Sequence, residues 1–219
     1  MQNSKINKDI AQVLERYPKL VLIEEKKTKI LAGEVDIFDA DGTYLESYEI
    51  SIRIPKNYPH AFPFLYEIGR KFPHIPDRHV NEGGSCCVCS LQEEDSVSQK
   101  GISILGYIEK YVIPYLANQI YFDHTGIWAN GDYKHGAYGI FQYYRELFKT
   151  ETIDDTTDLL SILIENKMNR NDLCFCGSDV KLKLCHLETY RTVKNFHPKR
   201  VLEDLVALKR LRKLVSKNN

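Results

Sequence analysis

The chain has 219 residues, of which 43% are hydrophobic and 11% aromatic, as in an ordinary globular protein with room for one sizeable domain and an appendage. It contains no apolar run of about eighteen residues, and its polar first residues lack the apolar core of a signal peptide. These features exclude a membrane-spanning or secreted class and predict a cytoplasmic protein. The 30 basic and 30 acidic residues cancel, but the acidic excess lies before residue 167 and the basic excess after it.

The first part of the chain shows a helix followed by strands. Apolar residues at helical spacing predict a helix over residues 7–17, which Pro18 ends. The turn sequence Asp39-Ala40-Asp41-Gly42 joins the second strand to the third, which indicates an antiparallel meander. A helix, a four-stranded antiparallel meander and later helices describe an α+β domain. Apolar runs and alternation predict the strands at residues 20–24, 30–38, 45–54 and 64–68.

Two irregular segments flank the fourth strand. Pro55, Pro59 and Pro63 cannot lie in a sheet interior, so the chain turns there along a rigid, extended path. After the strand, the sequence His79-Val80-Asn81-Glu82-Gly83-Gly84-Ser85-Cys86-Cys87-Val88-Cys89 carries three thiols beside two glycines. In a cytoplasmic protein these cysteines are expected as thiols or metal ligands rather than as disulfides.

This order of features resembles the ubiquitin-conjugating enzyme fold, and in particular its divergent bacterial relatives. A meander feeds a proline turn, in which Tyr58, Pro59 and Pro63 fall on the family's turn residues. Gly84-Ser85 then stands two residues before a cysteine, as in the family. The resemblance implies an N-terminal helix, a four-stranded sheet and C-terminal helices around a reactive thiol.

The resemblance places the nucleophile at Cys87, which in the family accepts a protein's C-terminal carboxyl as a thioester. It places His79 and Asn81 on the family's His-Pro-Asn element, and an asparagine amide there can donate a hydrogen bond to the oxyanion of the reaction. Val80 stands where the eukaryotic enzymes have proline, and the segment from Asn81 to Cys87 is shorter than theirs.

The three clustered thiols leave alternatives open. In an extended segment Cys87 and Cys89 share one face while Cys86 points to the other, so Cys86 is the best candidate for a packing residue. Cys87 is the favoured nucleophile, ahead of Cys86 and then Cys89. A second metal site formed by these thiols with His74 or His79 is a further alternative, although their spacing is poor for a tetrahedral ion.

The segments after the thiols predict a loop and a long helix. Residues 91–100 are polar and predict a mobile surface loop beside the candidate nucleophile. Apolar residues at spacings of three and four then predict a helix that packs against the sheet. Pro114 falls within that helix and predicts a break or a kink.

Trp128 and the pair His135-Gly136 again resemble the bacterial conjugating relatives, in which a tryptophan loop and a His-Gly pair precede the last helix. On that resemblance His135 lies near Cys87 and orients the site or helps to deprotonate the incoming amine. The alternative is a structural histidine held in a turn. The same alternative applies to His79.

The segment before residue 187 gathers four soft metal ligands: Cys174, Cys176, Cys185 and His186. Zn²⁺ prefers four sulfur or nitrogen ligands in a tetrahedron, and Gly177-Ser178 supplies a tight turn directly after Cys176. The pattern Cys-x-Cys-Gly-Ser followed by Lys-x-Lys-x-Cys-His resembles the SEC-C motif, a small zinc module, with His186 where cysteine is the commoner last ligand. The sequence therefore predicts a structural zinc site in a binding appendage.

The end of the chain is basic and amphipathic. Apolar residues at helical spacing predict a helix from Lys199 to Lys217 with a charged face. That helix could contact nucleic acid or an acidic partner, but packing on its own protein is the favoured interpretation. The expected organisation is a conjugating-like domain at residues 1–150, a linker helix and zinc module at residues 151–192, and a basic helical tail at residues 193–219.

Together these features predict a cysteine-dependent enzyme that carries a protein C-terminus as a thioester on Cys87 and passes it to an amine or another nucleophile. No phosphate-binding G-x-x-x-x-G-K loop occurs, so an activating partner would act in trans. Relatives of this kind occur in antiphage operons of the CBASS type, where the cargo is a cGAS-like nucleotidyltransferase, and the resemblance implies that cargo here. The alternative is a catalytically inactive adaptor of the same fold, whose zinc module binds a peptide or nucleic acid.

Overall fold

The computed structural model of the protein describes residues 2–129 and 136–217. Contacts within the chain divide it into two compact units, unit 1 at Met1–Asp132 and unit 2 at Tyr133–Asn219. The elements of unit 1 are α1 (Gln2–Arg16), β1 (Leu20–Glu25), β2 (Thr28–Phe38), β3 (Tyr44–Ile54), β4 (Phe64–Glu67), a 3₁₀ turn (Pro76–Arg78), α2 (Leu91–Lys100), α3 (Ile104–Tyr107), a π turn (Ile108–Val112) and α4 (Ile113–Thr125). Those of unit 2 are α5 (Gly136–Phe148), α6 (Ile153–Glu165), a 3₁₀ turn (Leu182–Leu184), α7 (Leu187–Lys194) and α8 (Pro198–Val215).

Unit 1 is an α+β fold built on an antiparallel sheet of order β1-β2-β3-β4. The predicted first helix and all four predicted strands are confirmed, since each strand begins and ends within two residues of its expected bounds. Alternation along the strands sends one set of side chains, including Leu31, Ile50 and Ile52, into a core shared with α4. The sheet's edge strand β1 joins β2 through a two-residue turn in which Lys26 and Lys27 have φ angles of 45° and 69°.

The proline-rich segment after β3 is tied into the core by one buried tyrosine. The Tyr58 hydroxyl donates to the carboxylate of Asp9 on α1 and accepts the backbone N–H of Ile104, at 3.2 Å, at the start of α3. Burial, followed by the Asp9 carboxylate, raises the pKa of Tyr58, so the phenol stays protonated. The predicted rigid turn is therefore fastened to two helices of unit 1.

Residues 91–100 form helix α2, so the prediction of a mobile surface loop there is wrong. The Ser90 hydroxyl accepts the backbone N–H of Glu93 and caps the helix, and acidic residues in the first turn complement the helix dipole. These local interactions stabilise a helix whose composition is otherwise polar.

The predicted kink near Pro114 takes the form of a widened turn. The chain runs from α3 through a π turn at Ile108–Val112 directly into α4, whose first residues include Pro114. Proline has no N–H to donate, and a wider turn just before it accommodates the missing bond.

Unit 2 begins earlier than the boundary near residue 150 that the sequence indicated. Helix α5 packs against α6 and α8, with Tyr144 and Phe148 buried in the same core as residues of α8. The Tyr144 hydroxyl donates to the buried Asp204 carboxylate on α8 at 3.0 Å. The division differs because this pairing spans sixty residues of sequence and leaves no local signal.

Helix α8 confirms the predicted amphipathic helix. One set of its apolar residues is buried, as expected for a helix that packs on its own protein: Val201, Leu205, Leu208 and Leu211. Helix α8 is therefore part of a helical unit rather than a separate tail. None of the helices described is both long and apolar enough to cross a membrane.

Replacing Tyr58 by phenylalanine is expected to destabilise unit 1. The substitution leaves the buried Asp9 carboxylate and the Ile104 N–H without this partner, which typically costs about 1–3 kcal/mol in the free energy of unfolding. Urea unfolding followed by tryptophan fluorescence measures this loss, because the chain's single tryptophan, Trp128, lies in unit 1.

The matched control is Tyr44→Phe, because Tyr44 is exposed. Its free energy of unfolding should stay within about 0.5 kcal/mol of the wild-type value. Equal losses in the two variants would contradict the role assigned to the buried hydroxyl.

Candidate metal centre and candidate nucleophile

The metal-ligand segment of unit 2 is a short hairpin that ends in a tight turn. An isolated bridge pairs Leu173 with Lys181, and the Cys174 N–H donates to the Val180 carbonyl at 2.8 Å. Gly177, with φ of 75°, donates its N–H to the Cys174 carbonyl at 3.2 Å, which closes the turn around Cys176. A side chain at this φ would be strained, which explains the glycine.

The chain then returns its second pair of ligands to the first pair. The 3₁₀ turn at Leu182–Leu184 ends at Cys185, and His186 occupies the N-cap position of α7. The sulfurs of Cys176 and Cys185 lie 3.6 Å apart, and Nδ1 of His186 lies 3.4 Å from the Cys174 sulfur and 3.0 Å from the Cys185 sulfur. All four candidate ligand atoms lie within 4.8 Å of one another.

This spacing fits one tetrahedral ion. Zinc bonds of about 2.3 Å to sulfur and about 2.0 Å to nitrogen place tetrahedral ligands about 3.8 Å apart for two sulfurs and about 3.5 Å for sulfur and nitrogen. The three separations given above, 3.0 to 3.6 Å, lie within about 0.5 Å of these values. Over residues 2–129 and 136–217, these four residues form the one His, Cys, Asp and Glu group compact enough to hold an ion. The structure thus brings the four predicted ligands together. Among the described residues, Cys86, Cys87 and Cys89 do not form a second metal site.

The metal-ligand hairpin is anchored in the helical core of unit 2. Phe175 and Leu182 are buried, and the Phe175 ring packs edge-on to Phe148 of α5 with 6.2 Å between centroids. The Phe175 ring also contacts the ring of His186 at 5.3 Å. The candidate ligands are therefore positioned by the core as well as by the hairpin.

Two of the candidate ligand thiols have shifted pKa values. Burial raises the pKa of the Cys174 thiol to about 11. For Cys176 burial acts in the same direction, but the Ser178 hydroxyl and the neighbouring thiols outweigh it and lower the pKa. A bound cation would replace the remaining thiol protons.

The candidate nucleophile of unit 1 lies on a second small hairpin. A bridge pairs Val80 with Cys86, the Cys87 N–H donates to the His79 carbonyl at 2.7 Å, and the Asn81 N–H donates to the Ser85 carbonyl at 2.9 Å. The Gly84 N–H donates to the Asn81 carbonyl at 2.8 Å and closes the turn. The Cys86 N–H in turn donates to the Leu65 carbonyl of β4 at 2.8 Å, which attaches this hairpin to the sheet.

The hairpin separates the three thiols. Val80 and Cys86 form the inward-facing pair and are buried in the core of unit 1. Successive residues of an extended chain point to opposite faces, so Cys87 is directed away from that core. Cys87 and Cys89 are both partly buried, and Cys89 packs against the core although strict alternation would place it on the same face as Cys87. The expected burial of Cys86 is confirmed.

Burial keeps all three thiols protonated near neutral pH. It raises the pKa of Cys86 to about 11. Burial and then the carboxylates of Glu93 and Glu94 raise the pKa of Cys89, and burial and then Glu94 raise that of Cys87. Cys87 is therefore a protonated thiol rather than a thiolate near neutral pH.

The structure places His79 and Asn81 beside Cys87 in the hairpin, but with other immediate contacts. The His79 ring packs edge-on to Trp128 with 4.8 Å between centroids, and the Trp128 ring lies 4.6 Å from that of Phe122. The Asn81 amide donates to the Ser85 hydroxyl at 3.1 Å across the turn. His135 lies outside the described residues.

The sequence analysis missed a buried arginine beside this hairpin. The Arg78 side chain donates to Gln119 Oε1 and to Asp123 Oδ1, both at 2.7 Å, and the Arg78 carbonyl accepts from Tyr115 and from Gln119, both at 3.0 Å. This network fixes the residue before His79 against α4. Nothing in the local sequence distinguishes this arginine from a solvated one.

Neutralising Glu94 should increase the reactivity of Cys87. Because the Glu94 charge raises the pKa of the Cys87 thiol, Glu94→Gln lowers that pKa and increases the thiolate fraction at pH 8. The iodoacetamide alkylation rate of Cys87, followed by peptide mass spectrometry, should therefore be higher than in the wild type and should rise with pH in both proteins.

Glu93→Gln provides the control, because Glu93 raises the pKa of Cys89 and is not among the causes that raise that of Cys87. The Cys87 rate should stay at the wild-type value in this variant. An equal acceleration by both substitutions would contradict the assigned electrostatics.

Comparison with known proteins yields one match. The SEC-C motif, a zinc-binding motif, matches residues 170–188, which include all four clustered ligands. Searches of curated proteins and of solved structures give no significant match. The chain therefore contains a SEC-C motif with its Cys and His side chains assembled as a candidate metal centre.

Proposed function

We propose that this protein carries the C-terminal carboxyl of another protein as a thioester on Cys87 and transfers it to a nucleophile. The observation that supports this proposal is the position of Cys87, which directly follows the buried Cys86 in the hairpin and is itself not fully buried. The hairpin around it is short, contains glycine at its turn and is fastened to the sheet through Cys86. A fixed backbone with a partly exposed thiol suits an acyl carrier.

The reaction needs an activated donor. The Cys87 sulfur attacks an acyl adenylate or a partner's thioester, a carbon–sulfur bond forms, and the AMP or partner thiol leaves as the thiol proton is lost to base. An amine then attacks the carbonyl, the carbon–sulfur bond breaks, and Cys87 is released as a thiol. In this scheme the activating partner acts in trans. The raised pKa of Cys87 protects the thiol until such a donor is docked.

Three further residues have roles in the proposal that rest on the family resemblance. Asn81 would donate its amide to the oxyanion after releasing Ser85, and His79 and His135 would orient the site or accept a proton. The cargo would be a cGAS-like nucleotidyltransferase in an antiphage operon. This setting also rests on the resemblance.

For unit 2 the proposed ion is Zn²⁺ with a structural role. Three thiolates and one imidazole are the ligands that zinc prefers, and four protein ligands leave no open position for catalysis. Because the hairpin of residues 172–182 packs into the core through Phe175 and Leu182, zinc would stabilise unit 2 as a whole.

A thiol-sensitive adduct tests the carrier. The full chain, purified with a candidate cargo, an activating partner and ATP, should give a higher-mass band on a non-reducing gel that dithiothreitol removes. Cys87→Ala should abolish the adduct, because the acyl acceptor is absent.

Cys86→Ala is the matched control at the adjacent thiol and should keep the adduct. A band that persists in Cys87→Ala but is lost in Cys86→Ala or Cys89→Ala would move the nucleophile to that residue and overturn the assignment. Absence of any adduct with a cargo and partner that react with each other would favour the inactive adaptor.

Metal content tests the proposed zinc. Protein expressed with zinc should contain about one zinc per chain by elemental analysis. Cys174→Ser should lose most of it and unfold at lower temperature, because one of four ligands and a core contact are removed. Cys89→Ser, a control in unit 1, should retain wild-type zinc. Full zinc content in Cys174→Ser would contradict the proposed ligand set.

A further inference from the structure

Strand β1 lies at the edge of the sheet and exposes apolar side chains on both faces of the sheet. It forms one end of the sheet order in the described part of unit 1. Val21, Leu22 and Ile23 are 56%, 38% and 40% exposed, and successive strand residues point to opposite faces. An edge strand with exposed apolar residues is a template for pairing with another strand.

The turn between β1 and β2 determines which backbone groups face outward. A two-residue turn at Lys26 and Lys27 is closed by a hydrogen-bonded pair, here Glu25 with Thr28. Hydrogen-bonded and non-hydrogen-bonded positions alternate along an antiparallel pair. The backbone N–H and C=O groups of Glu25, Ile23 and Val21 therefore bond to β2.

The remaining residues of β1 direct their N–H and C=O groups to the open edge: Leu20, Leu22 and Glu24. The Leu20 N–H agrees with this alternation, since it donates to the Tyr17 carbonyl of the same chain at 3.0 Å rather than to β2. Leu22 and Glu24 therefore present the edge groups that a further strand would bond.

We propose that β1 pairs antiparallel with β1 of a second copy of this chain, on a two-fold axis that passes through Leu22. In this register Leu22 of each copy exchanges both backbone bonds with Leu22 of the other, and the Glu24 N–H donates to the Leu20 carbonyl of the other copy. The two four-stranded sheets then form one continuous sheet of eight strands.

The side chains of β1 are complementary to themselves in this register. Val21 lies opposite Ile23 of the second copy, and both are on the outer face of the sheet. Lys19, the residue directly before β1, would lie opposite Glu25 of the second copy at both ends of the pair when the pairing is extended by one residue beyond the strand. Lys19 already donates to Asp36 at 2.8 Å and lies 3.8 Å from the Glu34 carboxylate, and its ammonium, with three protons, can add a further carboxylate.

Neighbouring registers are less complementary. A shift of two residues in one direction places Lys19 opposite Ile23, and a shift in the other direction places Glu25 opposite Val21. Each therefore sets a charge against an aliphatic side chain. This charge pattern favours a second copy of the chain over an unrelated strand as the occupant of the edge.

Sedimentation velocity of the full chain over a concentration series tests the dimer. Because a six-residue edge makes a small interface, the wild type should sediment as a concentration-dependent monomer–dimer mixture. Leu22→Lys places two like charges on the axis and should give monomer throughout. Ile68→Lys, at a similarly exposed aliphatic residue beyond β4, is the control and should dimerise like the wild type.

Charge exchange tests the register. Lys19→Glu and Glu25→Lys each set like charges against one another at both ends of the pair, so each variant alone should dimerise more weakly than the wild type. An equimolar mixture of the two should recover dimer, because every Lys19–Glu25 position then holds opposite charges in the mixed pair. Thermal melting checks that each variant is folded.

Three results would overturn the proposal: a wild type that is monomeric at every concentration, a dimer that persists in Leu22→Lys, or a dimer that Ile68→Lys disrupts. A mixture of Lys19→Glu and Glu25→Lys that stays as monomeric as its components would refute the two-fold register. Transfer activity does not enter this test, so its outcome is independent of the proposed role of Cys87.

Discussion

The candidate nucleophile depends on one backbone hydrogen bond, from the Cys86 N–H to the Leu65 carbonyl of β4. This bond fixes the hairpin to the sheet and sets which thiol points inward. With Cys86 held in the core, the adjacent Cys87 must face away from it, because side chains alternate along an extended chain. A shift of the pairing by one residue would bury Cys87 and turn Cys86 outward. It would also place a residue other than Cys86 opposite Val80.

The surroundings of this hairpin combine rigidity with low reactivity. Arg78 holds the backbone before His79 through Gln119 and Asp123, so the hairpin rests on α4 as well as on β4. At the same time burial and Glu94 disfavour the thiolate of Cys87. A protonated thiol reacts more slowly with small electrophiles than a thiolate does, and in the proposed function the acyl donor would bring the binding energy that offsets this.

The sequence predicted the parts of the structure that are governed by short-range pattern. Strands followed from alternation, and the ligands Cys174, Cys176, Cys185 and His186 followed from their spacing. Helix α2 was missed although Ser90 and Glu93 have capping-box spacing, because the polar composition was given more weight. The start of unit 2 could not be read locally, since Tyr144 meets Asp204 only in the folded chain.

The burial of Phe175 and Leu182 has a consequence for the modularity of the SEC-C motif in this chain. Nineteen residues that match a motif suggest a cassette that could be moved between proteins, yet here its apolar side chains complete a core built by α5, α6, α7 and α8. Excision of the motif alone would expose those side chains to water. The smallest part that could be transferred to another protein is therefore the whole of unit 2, whose core the hairpin completes.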